Sequence, residues 1–356
     1  MALKGKHNHY NVKFLKGYGF SVSVKDSKII LKNCYNPFSK PEVEEWFVKN
    51  MPYEKIVLSG KGYISTEALS LLSENNRNVI LLDTYGKPIT FCNPVMESLT
   101  ATKYRIGQYD TFRNPVKCKY LSKQIVKAKL DSQIDFLSST ENPDVAEGIS
   151  KLKEYCKDLD GLSTPISNEA KIARIYFSEY AKLIPERFGF SSRNQSKISA
   201  SKNKATDVIN ALLNYGYTVL AGEISKFING MGLDAYYGFY HKQHTSFQPL
   251  VYDLMEPFRW LVDSAVCKMS DAKSKNRISK KQYAYTRQGN VVLEYDLIRN
   301  FLELLERNFQ RVRRYEYRQG AKTKDGLKSV QEITIARIMV QNLAEYCLGK
   351  QKEFRI

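Results

Sequence analysis

The period of the apolar residues changes once along this chain, near Thr100, and that change limits the fold more than any other feature. Before it the pattern alternates. Phe20, Val22 and Val24 alternate with serines, Lys25-Asp26-Ser27 turns, and Ile29-Ile30-Leu31 returns, which predicts two antiparallel strands. Lys55–Leu58 and Asn78–Asp83 are short apolar runs of the buried-strand kind, and Tyr85-Gly86-Lys87 turns into a further strand over Pro88–Cys92. Between them Ser65 or Thr66 is placed to cap one helix, with Glu67 in its first turn and Ala68, Leu69 and Leu72 on its apolar face. After Thr100 the spacing is helical. Ile209, Leu213, Leu220, Ile224 and Phe227 mark one face, ending at Gly230 and Gly232, and segments 118–140, 169–183, 254–269, 293–312 and 329–348 behave alike. Positions 189–204 read as a loop. The expectation is an α+β fold: a small β-rich domain over 1–96, then a larger all-helical domain over 97–356.

Charge comes next. Lys and Arg number 55 against 37 Asp and Glu, a formal +18, which points to a polyanion as partner, nucleic acid before an anionic membrane. Half of the excess falls in 268–328, where sixteen basic residues face seven acidic ones. That stretch includes Arg311, Arg313, Arg314 and Arg318 interleaved with Tyr315 and Tyr317, a mixture suited to phosphate contacts and base stacking. Lys117, Lys119, Tyr120, Lys123 and Lys127 form a sparser stripe, and a solvated helix face is the plain alternative for either run. No apolar stretch is long enough for a membrane helix, and the N-terminus lacks a signal-peptide core. The six cysteines show no paired spacing, so reduced thiols and a cytoplasmic setting are expected. Phosphate-cradling glycine loops and a GxSxG elbow are missing from the sequence.

Acidic residues and histidines remain as candidates for chemistry. His241 is followed by Asp253 and Glu256, which could converge on one divalent ion. Asp253-x-x-Glu256 before an apolar run also fits a capping box, and spacing alone favours that reading. Glu169 follows Ser167 and Asn168, either of which would cap a helix with Glu169 as a first-turn dipole partner. His244 is a second ligand or a surface imidazole, and His7 and His9 are read as inert.

Five blocks occur in one order: Asn168-Glu169-Ala170-x-x-Ala173-Arg174-x-Tyr176-Phe177, then Asp207-x-x-Asn210 through Tyr217, then Gly232-Leu233-Asp234, Gly238-Phe239-Tyr240-His241 and Asp253-Leu254-Met255-Glu256-Pro257-Phe258-Arg259. This resembles the Cas1 family, the integrases of CRISPR adaptation. Gly17 to Val24 and Ile64 to Leu69 resemble its N-terminal domain. Ala235 stands where a proline is usual, Tyr240 where leucine is usual, and 193–204 match poorly.

The resemblance implies Glu169, His241 and Glu256 as ligands of Mg²⁺ or Mn²⁺, with Asp253 a nearby acidic site residue. Beside that set, the residues themselves offer Arg174, Lys204 and Arg259 as positive charge near the site for DNA. The resemblance further implies a metal-dependent integrase and endonuclease that joins a 3′-hydroxyl to a repeat by transesterification. The substrate would be duplex DNA with single-stranded 3′ ends. The enzyme would work as a homodimer through the β-rich domain, assembled with Cas2. A casposase, integrating transposon ends without Cas2, is the nearest alternative; a plain nuclease and a non-catalytic DNA-binding scaffold are the others.

Overall fold

The computed structural model describes residues 12–33, 41–82, 88–92, 99–158, 165–193, 205–241, 248–316 and 327–356. The chain divides into two compact units, Met1–Met96 and Glu97–Ile356.

In the first unit, β1 (Val12–Lys25) and β2 (Lys28–Asn33) pair antiparallel across Asp26 and Ser27, at φ of 50° and 58°. Two successive left-handed residues give the tight turn whose twist matches that of the flanking strands. With β3 (Glu42–Trp46), β4 (Lys55–Ile64), α1 (Thr66–Glu74), β5 (Asn78–Leu82) and β6 (Pro88–Cys92), they build a six-stranded sheet in the order β3-β2-β1-β4-β5-β6. β4 runs parallel to both β1 and β5, and α1 makes the crossover that a parallel β4–β5 pair requires. Ser65 is the cap: its Oγ accepts from Ala68 N–H at 3.1 Å. Leu15, Phe20, Val22, Ile29, Leu31, Ile56, Leu58 and Leu72 close the core beneath the helix.

The second unit contains α2 (Leu99–Phe112), α3 (Pro115–Ser138), α4 (Ala146–Asp158), α5 (Pro165–Lys182), α6 (Val208–Met231), α7 (Pro249–Met255), α8 (Arg259–Ser270), α9 (Tyr295–Phe309) and α10 (Glu332–Cys347). α6 is its axis, buried on most of its faces and packed against α7, α8, α9 and α10. Asp207 caps it by accepting from Asn210 N–H at 2.7 Å, and Gly232 ends it in the left-handed conformation at φ 76°. None of these helices is long and apolar enough to cross a membrane, among the described residues.

Three expectations needed correction. The unit is not all-helical: β7 (Tyr283–Tyr285) pairs with β8 (Val291–Leu293), and β9 (Val312–Glu316) with β10 (Leu327–Gln331). Both ribbons adjoin amphipathic helices, and their three- and five-residue strands are too short for alternation to stand out from that helical signal. The segment 254–269 is not one helix. Pro257 lacks the N–H an α-helix needs there, so α7 stops at Met255, Glu256–Phe258 form a 3-10 turn, and α8 begins at Arg259. Finally, α5 starts at Pro165, so neither Ser167 nor Asn168 caps it and Glu169 falls in its second turn.

Candidate metal centre

Asp253, on α7, is fully buried and organises one half of the site. Its Oδ2 accepts from Phe239 N–H at 2.8 Å and Tyr240 N–H at 3.1 Å, and its Oδ1 accepts from His241 N–H at 2.8 Å. The same Oδ1 lies 2.7 Å from His241 Nδ1. A carboxylate already gathering three N–H donors is an acceptor toward the ring as well. Nδ1 therefore carries the proton, and Nε2 is the nitrogen on the side away from Asp253. The capping-box reading fails: Gln248, not Asp253, stands at the N-cap of α7, and the Asp253 carboxylate is spent on the loop ahead of it.

That loop is held from two directions. Gln108 on α2 donates through Nε2 to Asp234 O at 2.9 Å and Tyr237 O at 2.8 Å, and its Oε1 accepts from Asp234 N–H at 2.8 Å. Tyr109 OH donates to Asp234 Oδ2 at 2.9 Å. Gly238 admits the carboxylate, since a Cβ there would fall 2.7 Å from Asp253 Oδ2 and 2.8 Å from Pro249 Cβ. Gly238→Ala is expected to push the loop off Asp253 and cost about 1–3 kcal/mol. Urea unfolding would show this as a lower midpoint at unchanged slope; a wild-type midpoint would rule it out.

Glu256, in the 3-10 turn, is the other half and is also buried. Arg259 Nη2 meets its Oε1 at 2.7 Å, and Lys129 Nζ on α3 meets its Oε2 at 2.6 Å. Burial alone would raise its pKa, but the two cations outweigh it and hold the carboxyl down at about 2. Arg259 is itself supported, its guanidinium 4.6 Å from the ring centroid of Tyr217. Arg193 lies 5.3 Å from the same ring.

Beneath this pair, Asp263 on α8 is fully buried. It accepts from Tyr217 OH at 2.5 Å and Tyr176 OH at 2.6 Å, while its backbone carbonyl accepts from Tyr180 OH at 2.9 Å. Burial dominates here and pushes the carboxyl up from 3.8 to about 6, against the tyrosine bonds and Arg259. The folded state then binds more protons than the unfolded one between pH 4 and 6. The stability Asp263 contributes is present below pH 4 and lost as pH rises through 6, about 3 kcal/mol for a shift of that size. Unfolding free energies of wild type and Asp263→Asn should therefore diverge across that window, wild type losing ground as pH rises. A difference independent of pH would contradict it.

The remaining candidates are scattered. Glu169 lies in α5, but its side chain falls outside the described residues, as do Lys204, His244, Arg318, His7 and His9 in full. Arg174 is exposed on α5. Arg311 reaches the Trp260 ring at 5.6 Å, Arg313 Nε pairs with the buried Glu332 Oε1 at 3.2 Å, and Arg314 faces solvent on β9. Among the described residues no three His, Cys, Asp or Glu side chains gather as a metal cluster. Sequence reading gave no role to Lys129, Tyr217 or Asp263. Lys129 had a signal: it follows Leu121 and Ile125 at four-residue spacing, a charge on the buried row of α3.

The Cas1 family model, "CRISPR associated protein Cas1", matches residues 14–307. The chain belongs to the Cas1 family. Among curated Cas1 relatives, "CRISPR-associated endonuclease Cas1 1" of Archaeoglobus fulgidus is 29% identical over 274 residues, covering 71% of this chain and 76% of its own. A solved casposase bound to its integration product superposes with TM-score 0.79 at 27% identity, over 96% of this chain and 92% of that one. A Cas1 protein from Thermotoga maritima superposes with TM-score 0.76 at 16% identity over 97% and 99%, a likeness of fold alone. The Cas1-like architecture expected from the sequence, a β-sheet region followed by a helical region, is the one observed.

Proposed function

We propose that this Cas1-family chain is a metal-dependent DNA integrase and endonuclease, with His241, Glu256 and Glu169 as metal ligands and Asp253 orienting His241. The observation that carries the reading is the Asp253–His241 pair, 2.7 Å apart, which leaves an imidazole nitrogen ready to bind a cation on a loop anchored at both ends. Metal-binding histidines are characteristically fixed this way, by a carboxylate on the other ring nitrogen.

Glu169 enters this reading through the motif Asn168-Glu169-Ala170 that the chain shares with the Cas1 family, carried on α5. Two carboxylates and an imidazole are a donor set that both Mg²⁺ and Mn²⁺ accept. When bound, such an ion supplies Lewis acidity to the scissile phosphodiester.

The chain's own residues do the rest. His241 and Glu256 are held in place before DNA arrives, and Arg259 keeps Glu256 anionic. Attack by a 3′-hydroxyl forms one P–O bond as another breaks. The proton lost by the attacking oxygen is matched by one gained on the leaving oxygen. Arg174, Arg311, Arg313 and Arg314 are read as phosphate contacts, with Lys204 and Arg318 in the same role. The +18 charge supports DNA as partner. A homodimer through the β-rich unit and assembly with Cas2 belong to this reading. The 27% identical casposase favours a second one, integration without Cas2.

The test is joining of a labelled oligonucleotide to a supercoiled plasmid in Mn²⁺, with and without Cas2. Glu169→Ala, His241→Ala and Glu256→Ala should each lower joining about a hundredfold or more, the scale of one lost electrostatic stabiliser, while DNA binding persists. Wild-type joining by all three would show that the proposed metal site is wrong, and no joining by the wild-type chain itself would leave the scaffold reading. Joining that is indifferent to Cas2 would select the casposase reading.

A further inference from the structure

Glu256 carries more positive charge than it needs. One carboxylate faces two cations, half-buried Arg259 on Oε1 and buried Lys129 on Oε2, before any divalent ion is counted. If Glu256 is a metal ligand, as proposed above and as this inference requires, one of the two must give way. Arg259 is the fixed one. It is a planar group over the Tyr217 ring, and that ring is tied through its hydroxyl to buried Asp263. Lys129 is a point charge on a flexible four-carbon stem.

α3 also offers that stem a second position. Gln133, one turn beyond Lys129 on the same helix face, is buried, and its Oε1 has no hydrogen-bond partner among the described residues. Buried amide oxygens are rarely left so, and an acceptor beside a lysine suggests a place for the ammonium to go.

We propose that Lys129 is a built-in placeholder for the metal. Its ammonium neutralises Glu256 Oε2 until a divalent ion arrives, and on displacement it moves to Gln133 Oε1. No covalent bond changes. The arrangement keeps a buried ligand ionised and in position while the site is empty, and makes metal affinity weaker than the donor set alone would give.

Mn²⁺ binding, measured on the full chain by electron paramagnetic resonance without DNA, tests this. Lys129→Met, roughly isosteric and uncharged, should bind Mn²⁺ about tenfold or more tightly, because the ion no longer has to break a charge-assisted contact. Gln133→Leu should bind it several-fold more weakly, because the displaced ammonium loses its acceptor. In the double variant the Gln133→Leu effect should vanish, since it acts only through Lys129. A purely structural lysine predicts the reverse for Lys129→Met: a misplaced Glu256 and weaker binding. Unchanged or weaker binding by a folded Lys129→Met overturns the proposal. If that variant does not fold, wild-type affinity in Gln133→Leu overturns it. Wild type that binds no Mn²⁺ overturns the metal centre itself, and the placeholder with it.

Discussion

Glu256→Ala is expected to abolish joining and also to destabilise the protein by about 3–5 kcal/mol, the usual cost of removing one partner from a buried ion pair. Truncation of an active-site residue more often relieves strain and stabilises. The opposite sign follows from the partners. Lys129 and Arg259 are largely enclosed, and without Glu256 their charges have no carboxylate between them. The pH behaviour gives a figure of the same size. A carboxyl held at about 2 in the fold, against 4.5 for an ordinary glutamate, contributes stability that is present above pH 4.5 and lost as pH falls through 2. At about 1.4 kcal/mol per pKa unit this is about 3 kcal/mol. Glu256→Gln separates the two roles. Gln keeps the shape but not the charge, so it should lose joining as fully as Ala while giving up less stability. Equal stability of wild type and Glu256→Ala, measured by urea unfolding at neutral pH, would show that the two cations draw nothing from this carboxylate.

Most of the first unit was legible because its physics is local. Asp26 and Ser27 tolerate the left-handed turn, Ser65 caps α1, and the strands carry their own alternation. The breaks in the second unit were legible only in part. The stretch 254–269 was read as helical throughout, whereas Pro257 ends α7 and forces the 3-10 turn that presents Glu256 toward α3. The ordered motif blocks named the residues around the site, but not their division of labour. Asp253 and Glu256 look alike in sequence, three residues apart. Only the fold shows that one carboxylate is filled by N–H donors and the other by cations. Lys129, more than a hundred residues upstream, joins the site through helix packing, which no local pattern encodes. Its trace was a charge in an apolar row.

Asp253→Asn isolates the role of the carboxylate behind His241. The native side chain accepts three backbone N–H groups and the ring, and an amide of the same shape cannot do so, because one of its two ends is itself a donor. If the amide nitrogen faces Phe239 and Tyr240, two buried N–H groups lose their acceptor. If it faces His241, the backbone N–H and the ring compete with it. The ring is then driven to the other tautomer, with its proton on Nε2 where a cation would bind. Either arrangement should lower joining 10- to 100-fold, the usual cost of losing a partner behind a metal-binding histidine, and should destabilise by about 1–3 kcal/mol. The two effects have separate signatures. Ring nitrogen shifts distinguish the tautomers, and with four histidines in the chain His241 can be assigned by its substitution. Wild type should carry its proton on Nδ1, and Asp253→Asn, if its amide nitrogen faces His241, should lose that preference while remaining folded. Weaker joining with the Nδ1–H tautomer intact would mean that Asp253 acts through the 239–241 backbone alone, and the orienting role assigned to it would fall.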